Sequence, residues 1–338
     1  MTQQQQPPYP LHESVVDRID AEYAAFYNKH IIDKQPVHLQ PIEVSRSSGV
    51  LNPGAGPLQP CGSTDDWSIT RVESEGPDVK VRCFTPIGEP PEAGWPVCVY
   101  IHGGGWVLGN IDTENVIATH LCARGKSVVV SVDYRLAPEN PFPAAVDDVW
   151  EAVIWVRRQG TDLDLDITKM AIGGSSAGGN LAAVMCQRAA DRGDQWFSLQ
   201  LLSVPVMDNS ADVRNNPSWE ENQYTPGLPA AKMLWFKNHY LPNRDDWQHP
   251  EASPLFWGGD FSKLPPACMV VGELDVLKHE GEQFAQKLAD AGVRCDVHVM
   301  RGQPHPFIAM DAALEAGARA ITLFCEALDR AMYPSSSQ

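Results

Sequence analysis

The sequence predicts an α/β fold, a mostly parallel sheet of about eight strands flanked by helices, with a helical cap from the N-terminus and an insertion. Three observations point there. From residue 97 onward, short apolar runs alternate with stretches of helical periodicity, the pattern of a parallel sheet. Two of those strands end in glycine clusters, His102-Gly103-Gly104-Gly105 and Gly173-Gly174-Ser175-Ser176-Ala177-Gly178-Gly179. The alternation then stops between residues 207 and 260, and an insertion that long between two strands is usually functional.

Residues 11–35 carry Val15, Val16, Ile19, Tyr23, Phe26 and Tyr27 at helical spacing, which predicts a helix packed on the core. Residues 49–64 are rich in Pro and Gly and read as a connecting loop. Strands are expected at 67–72 and 79–84 as an antiparallel opening pair, then at 97–101, 127–132, 170–173, 199–204, 267–271 and 294–300. Helices are expected near 113–124, 144–158, 177–191, 279–291 and 308–331. Within the insertion, Pro229 to Tyr240 reads as a cap helix. This divides the chain into a tail and cap helix (1–60), a core (61–206 and 261–338) and a cap insertion (207–260).

The chemistry is concentrated at strand ends. Gly174-x-Ser176-x-Gly178 lies between an apolar strand and a helical run, the context in which a serine sits on a strained turn with its hydroxyl exposed. Register excludes Ser175, which has Ala177 rather than Gly two positions on. His102 and its three glycines follow a buried strand and can turn backbone N–H groups toward a ligand. Neither nucleotide fingerprint fits them. Gly103, Gly104 and Ala177 are therefore candidate donors to an oxyanion. An acid and a base should follow the serine, in that order. Asp275 stands in a turn after the 267–271 strand, with Glu273 as the alternative acid or a brace for the loop. Of ten histidines, His305 occupies a loop directly after the last strand, whereas His298 lies within that strand and the others fall in helices, the glycine loop, the insertion or the N-terminal region. Ser176, Asp275 and His305 are the candidate catalytic set. Trp106, Trp219 and Tyr224 are candidate substrate-binding aromatics, and the pair Arg135 and Glu139 is expected to brace a loop beside the serine.

Together, His102-Gly103-Gly104-Gly105, Asp133 through Glu139, Gly174 through Asn180, the Asp275 turn and Pro304-His305-Pro306-Phe307 resemble the hormone-sensitive-lipase-like branch of the α/β-hydrolases. The resemblance spans roughly residues 66 to 330. It implies an α/β-hydrolase fold, a cap built partly from the N-terminal helix, and carboxylic ester hydrolysis without cofactor or metal. Two positions depart from the branch: Ser175 stands where Asp or Thr is common, and Val276 where Pro is common. The same groups could cleave a thioester, lactone, carbamate or amide. Members that serve as small-molecule receptors have lost the base, which this chain keeps as His305. The resemblance also implies a dimer through the edge of the final strand.

Composition narrows the partners. With 26 Lys and Arg against 43 Asp and Glu, the net charge of −17 argues against nucleic acid and anionic membranes. Eight scattered cysteines include no C-x-x-C pair, which favours a reduced, cytoplasmic protein, and several fall in apolar runs where Cys acts as a small hydrophobe. The first eight residues lack the basic and apolar regions of a signal peptide, no run approaches a membrane span, and the final Ser335-Ser336-Ser337-Gln338 matches no known address.

Overall fold

A computed structural model describes residues 8–47, 53–160 and 162–334. Eight strands form one sheet: β1 (Ser63–Ile69), β2 (Val79–Thr85), β3 (Trp95–Ile101), β4 (Val128–Asp133), β5 (Leu165–Ser175), β6 (Phe197–Ser203), β7 (Ala267–Gly272) and β8 (Cys295–Met300). Their spatial order is β1-β2-β4-β3-β5-β6-β7-β8. The β1–β2 and β2–β4 pairs are antiparallel and all later pairs are parallel. This is the fold the alternation predicts.

The helices are α1 (Glu13–Val16), α2 (Ala21–His30), α3 (Ile42–Ser47), α4 (Asn115–Gly125), α5 (Ala144–Arg158), α6 (Ala177–Asp191), α7 (Pro217–Asn222), α8 (Ala230–Tyr240), α9 (Lys278–Asp290) and α10 (Glu315–Met332). β3 is buried along its whole length because helices cover both faces of the sheet. Its side chains alternate between two cores. Val97, Val99 and Ile101 join residues of α5, α6 and α9, while Cys98 and Tyr100 join residues of α4 and α10.

The expected helices at 144–158 and 177–191 coincide with α5 and α6. Elsewhere local chemistry changes the outcome. The predicted 11–35 helix is two: Asp20 accepts the N–H groups of Glu22 and Tyr23 through Oδ1, a cap that starts α2 afresh after α1 ends. The predicted 308–331 helix is a 3-10 turn, Phe307–Met310, followed by α10 from Glu315. β5 begins at Leu165, five residues before its expected start, because Leu165 pairs with Trp95 of β3. β1 covers 63–69 rather than 67–72 and is almost wholly exposed, so apolar patterning could not mark its bounds.

One predicted pair does not form. Arg135 gives its guanidinium to Asp148 on α5 (Nη2 to Oδ1, 2.7 Å), and its backbone N–H bonds the same carboxylate. Glu139 instead holds Arg46 of α3, at 2.8 and 3.0 Å. Asp148 wins Arg135 because it is almost fully buried and also receives Arg71. The cysteines are all free, and Cys98, Cys186 and Cys268 are buried in the apolar environments expected of them. Among the described residues no helix is long and apolar enough to cross a membrane, and no cluster of three metal-ligating side chains occurs. Readings of residues 1–7, 48–52 and 335–338 lie outside the described residues.

Candidate active site

Ser176 joins β5 to α6 at φ 56° and ψ −114°, a conformation that L-residues rarely adopt. Its neighbours show why the flanking positions are glycine. A Cβ on Gly174 would lie 2.4 Å from the carbonyl oxygen of Ile101, and one on Gly178 only 2.0 Å from the same atom. The serine N–H donates to the carbonyl of Ser203 at 2.8 Å, tying the turn to β6. Asn180 anchors the next turn to the insertion, giving Nδ2 to the carbonyls of Val206 and Ala252.

The glycine loop leaves the end of β3 beside this elbow. His102 is buried, stacks on Tyr134 with centroids 4.3 Å apart, and donates from Nδ1 to the Gly103 carbonyl at 2.6 Å. Burial pushes its pKa down to about 4, so it is a neutral part of the loop. The Gly103 N–H points to Glu114 Oε1 at 3.3 Å. That amide is occupied, which removes Gly103 from the candidate oxyanion donors. Among the described residues the N–H groups of Gly104, Gly105 and Ala177 have no protein acceptor. Gly105, which the sequence reading did not single out, thus presents a further amide without a protein acceptor beside Gly104.

Asp275 and His305 come from the turns after β7 and β8. His305 Nδ1 lies 2.8 Å from Asp275 Oδ2, and both side chains are buried. The other Asp275 oxygen accepts the Leu277 N–H at 3.0 Å. Asn222 of α7 donates to the backbone carbonyls of both Glu273 and Asp275. Glu273 Oε2 accepts the Gly302 N–H at 2.7 Å and so braces the loop carrying the histidine. Glu273 thus acts as the brace and Asp275 as the partner of the imidazole.

Ser176, His305, Gly104 and Gly105 face one cavity of about 210 Å³, roofed by Tyr23 of α2 and by Leu228 and Phe236 of the insertion. The three aromatics expected to bind substrate do not line it. Trp106 is buried, stacked on Tyr240 at 4.3 Å. Its φ of 59°, following Gly105 at 61°, accompanies this inward placement in the core. Trp219 is buried under the Lys237 ammonium, 4.4 Å from its ring centroid. Tyr224 is exposed and stacks on His12 at 4.2 Å. Packing takes the first two because the insertion needs a core of its own.

Two lining residues escape sequence reasoning. Glu114, just before α4, is 8% exposed, and burial pushes its carboxyl up to about 7. A Glu at a helix start ordinarily reads as a favourable helix-end charge, so nothing marked it. Lys232 of α8 reads as one polar position on a cap helix, yet it reaches the cavity.

Residues 98–309 match the family described as α/β-hydrolase fold. The chain belongs to the α/β-hydrolase family. Within it, the hormone-sensitive-lipase-like branch is the one it joins. This hydrolase is 47% identical over 315 residues to an AB hydrolase superfamily protein of Schizosaccharomyces pombe, covering 91% of this chain and 92% of that one. It is 37% identical to the carboxylesterase NlhH of Mycobacterium tuberculosis, over 76% of this chain and 79% of the relative. Among solved structures, an esterase of Pyrobaculum calidifontis superposes with a TM-score of 0.80 at 30% identity, covering 92% of this hydrolase and 98% of its own chain.

Proposed function

We propose that this carboxylesterase-type hydrolase cleaves a small or short-chain carboxylic ester through an acyl-enzyme on Ser176. The observation that carries the reading is the buried His305–Asp275 hydrogen bond, 2.8 Å long, at the cavity that Ser176 enters from its strained turn. In this reading His305 Nε2 removes the serine proton as Oγ attacks the ester carbonyl. Asp275 fixes the tautomer with the proton on Nδ1 and stabilises the imidazolium that forms. The carbonyl oxygen, now negative, is received by the N–H groups of Gly104, Gly105 and Ala177, where one such donor is worth about 3 kcal/mol of barrier. The dipole of α6, whose first residue is Ala177, adds to that field. His305 then protonates the leaving alcohol, and water attacking the acyl-enzyme by the same route frees the acid. The reading requires no metal or organic cofactor.

The direct test is Ser176→Ala assayed on p-nitrophenyl acetate. Loss of at least a thousandfold in kcat is expected, and activity kept within tenfold would remove the serine from the nucleophile's role. His305→Ala should cost a comparable factor, whereas His298→Ala on edge strand β8 should cost less than threefold. The reverse order would give the base to His298. A cytoplasmic location and pairing of two copies along the open β8 edge belong to the same proposal. Free thiols at all eight cysteines support the first, and exposed Val297 and Val299 on that strand support the second. Light scattering tests the pairing.

A further inference from the structure

The cavity contains a cation that the hydrolytic steps do not use. Among the described lining residues, Lys232 is the single Lys or Arg. Its Nζ donates to the Gly227 carbonyl at 2.7 Å, which occupies one of its three N–H donors. Among the described residues no carboxylate lies within ion-pair distance of it, although the chain holds 43 acidic side chains against 26 basic ones. Its surroundings carry no negative charge: the Phe236 ring lies 5.7 Å from Nζ, and the pKa of His38 on the neighbouring turn is lowered first by burial and then by the lysine charge, which keeps that imidazole neutral. Glu114, the one carboxyl among the described lining residues, is bonded to Gly103 instead.

Lys232 is half-buried, with Nζ turned toward the cavity. An ammonium partly withdrawn from water without a counter-ion is costly, and so acidic a chain has many ways to supply one. Desolvation accordingly pulls the Lys232 pKa down to about 8. A carboxylate delivered by the substrate would restore the missing partner. That pairing would be a charge-assisted hydrogen bond, stronger than a neutral one beside the apolar cavity walls.

We propose that the cavity takes esters that themselves carry a carboxylate, and that Lys232 receives that carboxylate while Ser176 meets the ester carbonyl. The proposal rests on the ester-hydrolase reading and makes Lys232 a specificity-determining residue within it. Apolar walls at Tyr23, Leu228 and Phe236 would hold the carbon chain between the two polar ends. A purely structural role is the rival. Gly227 packs so closely on His305 that a Cβ there would lie 1.7 Å from the histidine carbonyl, and Lys232 supports that turn.

The two roles separate in matched substrate pairs. Mono-p-nitrophenyl glutarate is compared with p-nitrophenyl pentanoate, placing the carboxylate on the acyl side. In the second pair, 4-acetoxybenzoate against 4-methylphenyl acetate, it is on the alcohol side. The wild-type enzyme should favour the carboxylate member of at least one pair by tenfold or more in kcat/KM, chiefly through KM. Lys232→Met should cut that ratio at least tenfold, and Lys232→Arg should keep most of it. Preference for the neutral member in both pairs overturns the proposal. So does a Lys232→Met variant that loses both members equally, since that is the signature of support for Gly227. If the wild type cleaves neither pair any faster than Ser176→Ala does, the ester-hydrolase reading falls first and the proposal with it.

Discussion

Replacing Glu114 by Gln should make the protein more stable, and by an amount that depends on pH. The carboxyl is buried against Gly103, and burial lifts its pKa from 4.5 to about 7. Between those values the folded chain holds a proton that the unfolded chain has released. Stability from this group is therefore complete below pH 4.5 and lost as pH rises through 7. The loss is about 2.5 pKa units at 1.36 kcal/mol each, about 3 kcal/mol by pH 8. Gln keeps an oxygen for the Gly103 N–H and has no charge to bury. The stability advantage of Glu114→Gln over wild type should thus grow by about 3 kcal/mol between pH 4.5 and 8. His102 acts in the opposite sense: its pKa near 4 means that stability is lost as pH falls below 6.5, but both proteins contain it and it cancels in the difference. Urea unfolding of the two proteins at several pH values reads the difference directly. Two curves that stay parallel within 1 kcal/mol across this range would refute a buried, titrating Glu114.

Two further substitutions test how the site is held. Gly105→Ala places a Cβ 2.3 Å from the Phe236 ring at a φ of 61°, so both the turn and α8 must shift. We expect kcat to fall at least tenfold on p-nitrophenyl acetate, and activity kept within twofold would exclude Gly105 as an oxyanion donor. Asn180→Ala strands the buried carbonyl of Val206 and removes one of the two donors to the Ala252 carbonyl, which keeps Asn209 Nδ2. A loss of about 1–3 kcal/mol in urea unfolding is expected, and a change below about 0.5 kcal/mol would mean that the insertion is not anchored through this residue.

Much of the fold was legible because each parallel strand is a short apolar run bounded by turn residues, and each amphipathic helix repeats at its own period. The 144–158 and 177–191 helices needed nothing else, since their apolar faces mark them although neither has a side-chain N-cap. The N-terminal stripe misled because Val15 and Tyr23 do keep helical spacing, while the break between α1 and α2 depends on one capping carboxylate and on Asp20 donating its N–H to Gly302. β1 was misplaced because six of its seven residues face solvent, so no apolar alternation marks it.

At the site, the sequence alone located the serine of the strand–helix elbow, the Asp275 and His305 turns that follow it in that order, and a glycine loop at a strand end. Those features are local: each requires a residue type at a fixed offset from a strand or turn, and a glycine where a Cβ would strike backbone. Tertiary structure decided everything that depends on which distant groups arrive at the same place. It committed the Gly103 amide to Glu114, buried Trp106 and Trp219 in packing, and left Tyr224 outside on His12. It also brought Lys232 into the cavity with no carboxylate at ion-pair distance among the described residues. No spacing along the chain encodes those outcomes, because they follow from how α2 and residues 207–260 close over the sheet, and from which charges that closure removes from water.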